Sequence, residues 1–319
     1  MAEWLVEEGI GEDRAVLSDN GRPLAAAIDW PGELAAGAVV EGIFARKGMV
    51  VGSGIARLPD GSEAFVNKLA PSLSEGTVMR FRVVRAAMKE TGRNKLAQVV
   101  PTDEQPRPAP RLRETLGARP LLLGRDVWEE LRGDAWEGEM RFPGGSLRLS
   151  PTPAMTLIDV DGDLPPRQLA FEAADWVAKA IRFMDLSGSI GIDFPTLPQK
   201  ADRRRVDDAL AAALGDWRHE RTAMNGFGFV QIVAQVGRPS LLHRQHFDRE
   251  GAAARWLLRL AEHHGGGGGV LLMRAHPRVV SALRDEWLDE MRRRTGRVLK
   301  IEPDPALALD APHVQIIGR

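Results

Sequence analysis

Residues 155–194, MTLIDVDGDLPPRQLAFEAADWVAKAIRFMDLSGSIGIDF, contain a strand, a helix and a second strand in close succession. The apolar runs AMTLIDVD and SIGIDF are each typical of a buried central strand. Residues 167–185 have helical spacing, with apolar side chains along one face at Leu169, Trp176, Ala180 and Phe183. A helical crossover makes such strands parallel neighbours in one sheet. We therefore expect Asp159 and Asp193, near the strand ends, to meet at one edge.

Asp159 and Asp193 are flanked by apolar residues, and burying a carboxylate is costly unless a positive group neutralises it. A divalent cation is one candidate partner, and a basic side chain from Arg203, Arg204 or Arg205 is the other. Carboxylate oxygens favour hard ions such as Mg²⁺ or Mn²⁺. The residues by themselves favour the metal and leave the ion pair open.

Residues 37–101 predict a small closed barrel. Five short strands are separated by turn residues, and they are AVVEGIFARKG, MVVGSGIARL, EAFVNK, TVMRFRVVRAAM and KLAQVVP. Five strands with strong turn chemistry fit a barrel of OB type. Residues 37–100 contain ten bases and five acids, a net charge of +5, whereas residues 1–36 have a net charge of −6. This basic block indicates a surface for a polyanion, with a solvated charged face as the alternative.

Barrels of this type bind single-stranded nucleic acid through basic residues and aromatic side chains on one face. Phe65 and Lys95 are the best candidates for these roles, and Phe44 is a further one. For each phenylalanine, packing inside the barrel is the alternative.

The composition excludes several classes of site. The 319 residues include no cysteine, which excludes disulfides, thiolate zinc sites, iron–sulfur clusters and a cysteine nucleophile. The net charge is −1, so nucleic-acid binding has to rest on a local surface. No apolar run approaches the ~18 residues of a membrane span, and the acidic N-terminus lacks the order of a signal peptide. We expect a cytoplasmic protein without a membrane partner.

Five motifs beyond the barrel follow one another in a characteristic order. They are TLIDVD, AFEAADWVAKAIRFMDLSGSIGIDF, ADRRRVDDAL, NGFGFVQIV and RPSL. This order resembles the catalytic core of the ribonuclease E/G family, most strongly over residues 155–241. The resemblance implies a mixed α/β fold, with an RNase H-like core, an inserted five-stranded OB-type barrel and a small C-terminal α/β domain.

The family plan implies four segments. Residues 1–36 would supply the first strands of the RNase H-like core, and residues 37–101 the inserted RNA-binding barrel. Residues 102–245 would contain a proline-rich linker and the remainder of the core. Residues 246–319 would form the small α/β domain.

The resemblance also implies roles for three aspartates. Asp159 and Asp193 match the magnesium ligands of the family and would be catalytic. Asp161 occupies the position of an asparagine that orients the attacking water or the metal ligands. The implied reaction is endonucleolytic hydrolysis of single-stranded RNA, which leaves a 5′-phosphate and a 3′-hydroxyl and serves RNA processing or decay.

In the barrel, the resemblance assigns RNA contacts to Phe65 and to Lys95 of the motif Gly-Arg-Asn-Lys. Arg93 of the same motif is a further candidate. Ile55 stands where the family usually has an aromatic platform.

Departures from the family pattern keep other functions open. Gln231 and residues 233–236 replace an acid and a basic cluster, so the alternative is a catalytically weakened RNA-binding protein that retains the fold. A third possibility is a structural protein whose aspartates pair with arginines. The family's Cys-x-x-Cys zinc link is missing, so we expect no zinc and no zinc-linked dimer, but a monomer or weak oligomer.

Overall fold

The computed structural model describes residues 1–264 and 268–318; the side chains of Arg93, Arg125 and Asp126 also lie outside its description. It shows a mixed α/β fold that includes a closed five-stranded barrel, which confirms the predicted fold class.

The chain begins in a four-stranded sheet. Its first three strands are antiparallel neighbours, namely β1 (Glu3–Glu8), β2 (Asp13–Asp19) and β3 (Arg22–Asp29). Asn20 and Gly21 join β2 to β3, and both residues have a positive φ, of 51° and 82°. This backbone conformation is what a two-residue hairpin turn of type I′ requires.

The barrel follows at once. Its strands are β4 (Val39–Lys47), β5 (Gly54–Arg57), β6 (Glu63–Val66), β7 (Val78–Arg85) and β10 (Ala97–Pro101), with a hairpin of β8 (Met88–Glu90) and β9 (Arg93–Lys95) between the last two. The last strand closes the barrel by pairing in parallel with β6 and antiparallel with β7. The five predicted strands are confirmed, whereas the small hairpin was not predicted.

The central part of the chain builds a six-stranded sheet in the order β12-β13-β14-β15-β17-β16. Its elements are α1 (Leu112–Leu116), β11 (Arg119–Pro120), α2 (Arg125–Glu137), β12 (Glu139–Phe142), β13 (Gly145–Pro151), β14 (Thr156–Gly162), α3 (Pro166–Phe183), β15 (Gly188–Asp193), α4 (Lys200–Leu214), β16 (Glu220–Arg221) and β17 (Phe229–Ala234). Strands β14 and β15 are parallel neighbours joined by α3, as the strand–helix–strand pattern predicts.

The first strands of the chain do not extend this sheet. They form their own sheet with β11, which pairs in parallel with β1. Helix α3 contacts both β3 and the pair β13 and β14, so the two sheets share its buried faces. Close packing between two sheets explains why that buried surface is rich in alanine. Trp176 and Phe183, predicted on the buried face, are only partly buried.

The last part of the chain is a compact α/β unit. Its elements are α5 (Leu241–Phe247), α6 (Arg249–Glu262), β18 (Val270–Ala275), α7 (Pro277–Val280), α8 (Asp285–Thr295), β19 (Val298–Pro303) and β20 (His313–Ile317). The three strands form a sheet in the order β19-β18-β20. Residues 281–284 separate α7 from α8. Residues of α6, β18 and α8 belong to the same hydrophobic core as the six-stranded sheet.

A buried ionic network joins the start of the chain to α6. Glu7 Oε1 accepts a hydrogen bond from Arg14 Nη1 at 2.9 Å and another from Arg259 Nη1. Glu12 accepts from Arg14 Nε at 2.6 Å and from Trp30 Nε1 at 2.9 Å. Because these groups are almost fully buried, each charge depends on its partners.

The hairpin of the barrel contacts the rest of the protein at two points. Lys89 forms an ion pair of 2.7 Å with Asp248, and Lys95 Nζ donates a hydrogen bond of 3.1 Å to the carbonyl of Pro153. These contacts place the hairpin beside the loop that leads into β14.

Within the described residues, no helix is both long and apolar enough to span a membrane.

Candidate active site

Asp159 and Asp193 lie side by side on two adjacent strands. They are register partners in the parallel pair of β14 and β15. Neighbouring strands are about 4.8 Å apart, so register partners project from adjacent points of the same sheet face. The predicted pairing of these two residues is therefore found, with Asp193 at the end of β15 but Asp159 at the middle of β14 and not at its end.

Both aspartates are exposed rather than buried. The strands alternate: Ile158, Val160 and Ile192 are buried in the core, whereas the aspartates point to the opposite, open face. The expectation of two centrally buried strands was wrong, because only one face of the sheet is covered at this point. A cation can therefore not be inferred from full burial of these carboxylates.

The open face carries other charged groups near the pair. Asp161 lies two residues beyond Asp159 on β14, and Arg148 of β13 is the register partner of Asp159. Partial burial and the negative charges of Asp161 and Asp193 raise the pKa of Asp159, and Arg148 opposes this shift. The arginine therefore compensates the negative field only in part.

The predicted alternative partners of the aspartates lie elsewhere. Arg203 Nη1 donates hydrogen bonds of 2.6 and 3.0 Å to two backbone carbonyls in the loop before α4. The guanidinium of Arg205 lies 5.7 Å from the ring centre of Phe171. Among the described residues, no Lys, Arg or His side chain forms an ion pair within 4 Å of Asp159 or Asp193.

The donor set fits a hard divalent cation. It consists of carboxylate oxygens on adjacent strands. The negative charge of these carboxylates is only partly offset by Arg148 and is not neutralised by a close ion pair. The part of the chain that the structure describes has no group of three or more His, Asp or Glu residues arranged around one metal position. A two-carboxylate site suits Mg²⁺, which commonly retains several waters.

Beside Asp193, on the same sheet face, the side chains of Phe229 and Leu157 form an apolar surface that the sequence did not predict. Gly191 lies under the ring of Phe229, and a Cβ atom on this glycine would be 2.6 Å from the ring and 3.0 Å from a methyl group of Leu157. The glycine therefore permits these side chains to close over the strand. Gln231 is the register partner of Gly191, so its position belongs to this face as well.

The predicted RNA-contacting residues of the barrel have different environments. Phe65 is 37% exposed and is the register partner of Ile55, so the two share the outer surface of β5 and β6. Phe44 is 1% exposed and belongs to the barrel core, so of its two predicted roles the structure supports packing and not RNA contact. Lys95 forms an ion pair of 2.5 Å with Glu90. The side chain of Arg93 lies outside the described residues.

The fold and this site define a class: proteins that combine an OB-type barrel with an exposed carboxylate pair on a mixed sheet. Residues 89–235 match the model of the ribonuclease E/G family. This match covers a little under half of the chain, and over these residues it confirms the resemblance inferred from the motifs. The matched residues include the barrel's last strand and both aspartates.

Three relatives illustrate the similarity. Ribonuclease E of Escherichia coli K12 is 30% identical over 142 residues, which cover 41% of this chain and 13% of the relative. Ribonuclease E of Haemophilus influenzae is 31% identical over 142 residues, or 41% and 15%. Ribonuclease G of Escherichia coli K12 is 31% identical over 146 residues, or 42% and 29%. The chain thus matches less than a third of the length of each of these relatives.

Proposed function

We propose that this protein is a divalent-metal-dependent endoribonuclease that hydrolyses single-stranded RNA to 5′-phosphate and 3′-hydroxyl products. The observation that carries the proposal is the pairing of Asp159 with Asp193 on an open sheet face without a close basic partner. The adjoining OB-type barrel and the ribonuclease E/G segment support RNA as the substrate.

The chain's residues divide the chemistry among them. Asp159 and Asp193 would hold Mg²⁺ or Mn²⁺, which supplies a hydroxide-like nucleophile and neutralises charge on a phosphodiester. Asp161, on the same face of β14, would accept a hydrogen bond from the attacking water and so orient it. Arg148 is placed to attract a phosphate oxygen, because it faces Asp159 without forming a close ion pair with it.

The outer face of the barrel would hold the RNA strand. A nucleobase would stack on Phe65, with Ile55 as its apolar neighbour on the adjacent strand. Lys95 of β9 would contribute positive charge near the phosphates, and Arg93 stays a candidate for the same role from the sequence motif alone. Stacking of this kind needs unpaired bases, which favours single-stranded substrates.

The contrast between two phenylalanines gives the first prediction. Phe65→Ala should weaken binding of single-stranded RNA by about 1–3 kcal/mol and change the free energy of unfolding by less than about 1 kcal/mol. Phe44→Ala should destabilise the protein by about 3–5 kcal/mol, because it empties part of the barrel core. Fluorescence anisotropy and urea denaturation measure the two quantities. Equal loss of stability in both variants would assign Phe65 to packing.

A catalytically weakened RNA-binding protein is the second candidate. Gln231 and the exposed Val233 contribute no charge to the open face of β17, where the family pattern has an acid and a basic cluster. Fewer charges around a substrate phosphate would lower turnover while the barrel still bound RNA.

One incubation separates the candidates. A 5′-labelled unstructured oligoribonucleotide is mixed with the protein at low salt, with Mg²⁺, with Mn²⁺ or with a chelator. The endoribonuclease proposal expects internal cleavage with either metal and none with the chelator, and 5′-phosphates on the downstream fragments. Salt-sensitive binding without metal-dependent cleavage would support the second candidate. No RNA binding at low salt would reject both.

For the cellular setting, we propose a cytoplasmic protein that acts as a monomer or weak oligomer. The absence of cysteine from the sequence supports assembly without a thiolate zinc link.

A further inference from the structure

The turn between β16 and β17 presents an unusually exposed aromatic ring. Phe227 is 81% exposed, more than any other aromatic side chain among the described residues. Phe65, the proposed stacking residue of the barrel, is 37% exposed. A large apolar ring in water needs a reason other than packing, and contact with a ligand is one such reason.

The turn around Phe227 is held in place by several bonds. Asn225 Oδ1 accepts hydrogen bonds from the backbone nitrogens of Phe227, at 2.9 Å, and Phe229, at 3.1 Å. Thr196 Oγ1 donates to the carbonyl of Phe227 at 3.2 Å. Gly228 has a φ of 93°, and a Cβ atom there would be 2.3 Å from the carbonyl oxygen of Phe194. The exposed ring therefore extends from a fixed backbone.

Phe227 lies at the same end of the sheet as the carboxylate pair. Phe229, two residues later, is the register partner of Asp193. The barrel hairpin contacts Pro153, which precedes β14 by only a few residues, whereas Asp159 lies at the middle of that strand. Along the strand direction, the carboxylates therefore lie between the barrel contact and the Phe227 turn.

A basic concavity adjoins the turn. It has a volume of about 580 Å³, and its lining includes Lys200, Arg203, Arg204, Arg221 and Gly226, the residue before Phe227. Asp207 and Asp208 also line it, which leaves more positive than negative charge.

Two of these cations are available to a ligand. Arg221 is committed to Asp207, with an ion pair of 2.9 Å. The side chains of Lys200 and Arg204 are exposed and form no ion pair or hydrogen bond within the part of the chain that the structure describes. Free cations beside an exposed ring suit a nucleotide, because the cations can bind its phosphate and the ring can stack on its base.

We propose that Phe227 and the cations Lys200 and Arg204 form a second RNA-binding subsite, which stacks one base and holds a phosphate on the side of the carboxylate pair opposite the barrel. This proposal rests on the proposed function, because it assumes that RNA crosses the open face. The barrel and the subsite would hold the strand on both sides of the cleaved bond, so that the phosphodiester is fixed over Asp159 and Asp193.

The first test measures binding of a labelled single-stranded oligoribonucleotide in a chelator, so that cleavage does not interfere. Phe227→Ala should bind about five- to 150-fold more weakly, the range expected for loss of one base–aromatic stack. Phe227→Trp should bind within about twofold of the wild type. Phe171→Ala is the matched control, because it removes another exposed phenylalanine, 46% exposed on α3, and should bind normally.

The second test addresses the cations. The double variant Lys200→Gln/Arg204→Gln should reduce the slope of log affinity against log salt by about 1.4, or about 0.7 for each phosphate that a removed cation would have neutralised. Arg141→Gln/Arg274→Gln removes two exposed arginines that are paired with glutamates, and should leave the slope unchanged. An unchanged slope in the first double variant would overturn the phosphate-binding role of Lys200 and Arg204.

Failure of the subsite and failure of the proposed function give different results. If the wild type binds and cleaves RNA and Phe227→Ala does so equally well, the subsite is wrong and the nuclease remains. If the wild type does not bind RNA, both proposals fail. An abasic nucleotide placed on the side of the cleaved bond that faces Phe227 should slow cleavage by the wild type. It should not slow Phe227→Ala, because the base stack is already absent in this variant. Equal slowing of both proteins would overturn the subsite.

Discussion

Asp193→Asn is expected to reduce RNA cleavage by at least about a thousandfold, which corresponds to ~4 kcal/mol of transition-state stabilisation. The substitution replaces one of two anionic oxygen donors by a neutral amide and leaves the shape of the side chain unchanged. Asp159→Asn should have an effect of the same size, because the two residues are register partners in one site. RNA binding in a chelator should stay at the wild-type level in both variants.

Two further aspartates serve as controls for this prediction. Asp175→Asn, on the exposed face of α3 and paired with Lys179 at 2.6 Å, should cleave RNA normally. Asp161→Asn introduces the residue type expected from the family, and should lose no more than the ten- to hundredfold typical of a residue that orients a ligand or water. Full cleavage by Asp159→Asn and Asp193→Asn would show that the chemistry takes place elsewhere.

Glu7→Gln is expected to lower the free energy of unfolding by about 3–5 kcal/mol. Glu7 is 7% exposed and accepts hydrogen bonds from Arg14 and Arg259, which are 0% and 1% exposed. Loss of its charge would leave two buried guanidinium groups with less compensation. Urea denaturation at pH 7 measures the effect. Glu3→Gln on the same strand breaks an exposed ion pair with Arg119 and should leave the urea midpoint close to that of the wild type.

The effect of Glu7→Gln should depend on pH in a defined direction. Burial raises the pKa of Glu7, but Arg14 and Arg259 outweigh burial and hold the pKa below its ordinary value. A lowered pKa in the folded state adds stability above the unfolded pKa of about 4.3, and this stability is lost as the pH falls through the folded value. The difference between wild type and Glu7→Gln should therefore be largest near neutral pH and shrink below about pH 4. A difference that grows in acid would contradict the assigned charges.

The sequence predicted the elements that depend on local pattern. The five barrel strands alternate and are separated by turn residues, and all five are found with shifts of a few residues at their ends. The pairing of Asp159 with Asp193 follows from one strand–helix–strand connection, whose topology is restricted. Both predictions needed only the order and spacing of residues along the chain.

Features that depend on tertiary packing were not predicted. A run such as TLIDVD does not show that only one sheet face is covered, so the aspartates were expected to be buried. The first strands form a separate sheet because α3 packs between them and the six-stranded sheet. The network of Glu7 with Arg259 joins residues that are 252 positions apart. The pattern also could not distinguish Phe44 in the barrel core from Phe65 on its surface.

The exposed Phe227 is part of the motif NGFGFVQIV, which the sequence marked only as a sign of family resemblance. Its Asn-Gly-Phe-Gly sequence indicates a turn, and turns of this kind expose their central residues. The sequence did not show that this turn lies beside the end of β15, because the antiparallel pairing of β15 with β17 is a long-range contact.

A crystal of the wild-type protein grown with Mn²⁺ and measured at a wavelength where manganese scatters anomalously would test the central claim most directly. The proposed site predicts one strong anomalous peak between the carboxylates of Asp159 and Asp193, within about 2.3 Å of an oxygen from each. Crystals of Asp193→Asn should lack this peak. Manganese bound at other carboxylates, with none between these two, would contradict the proposed active site.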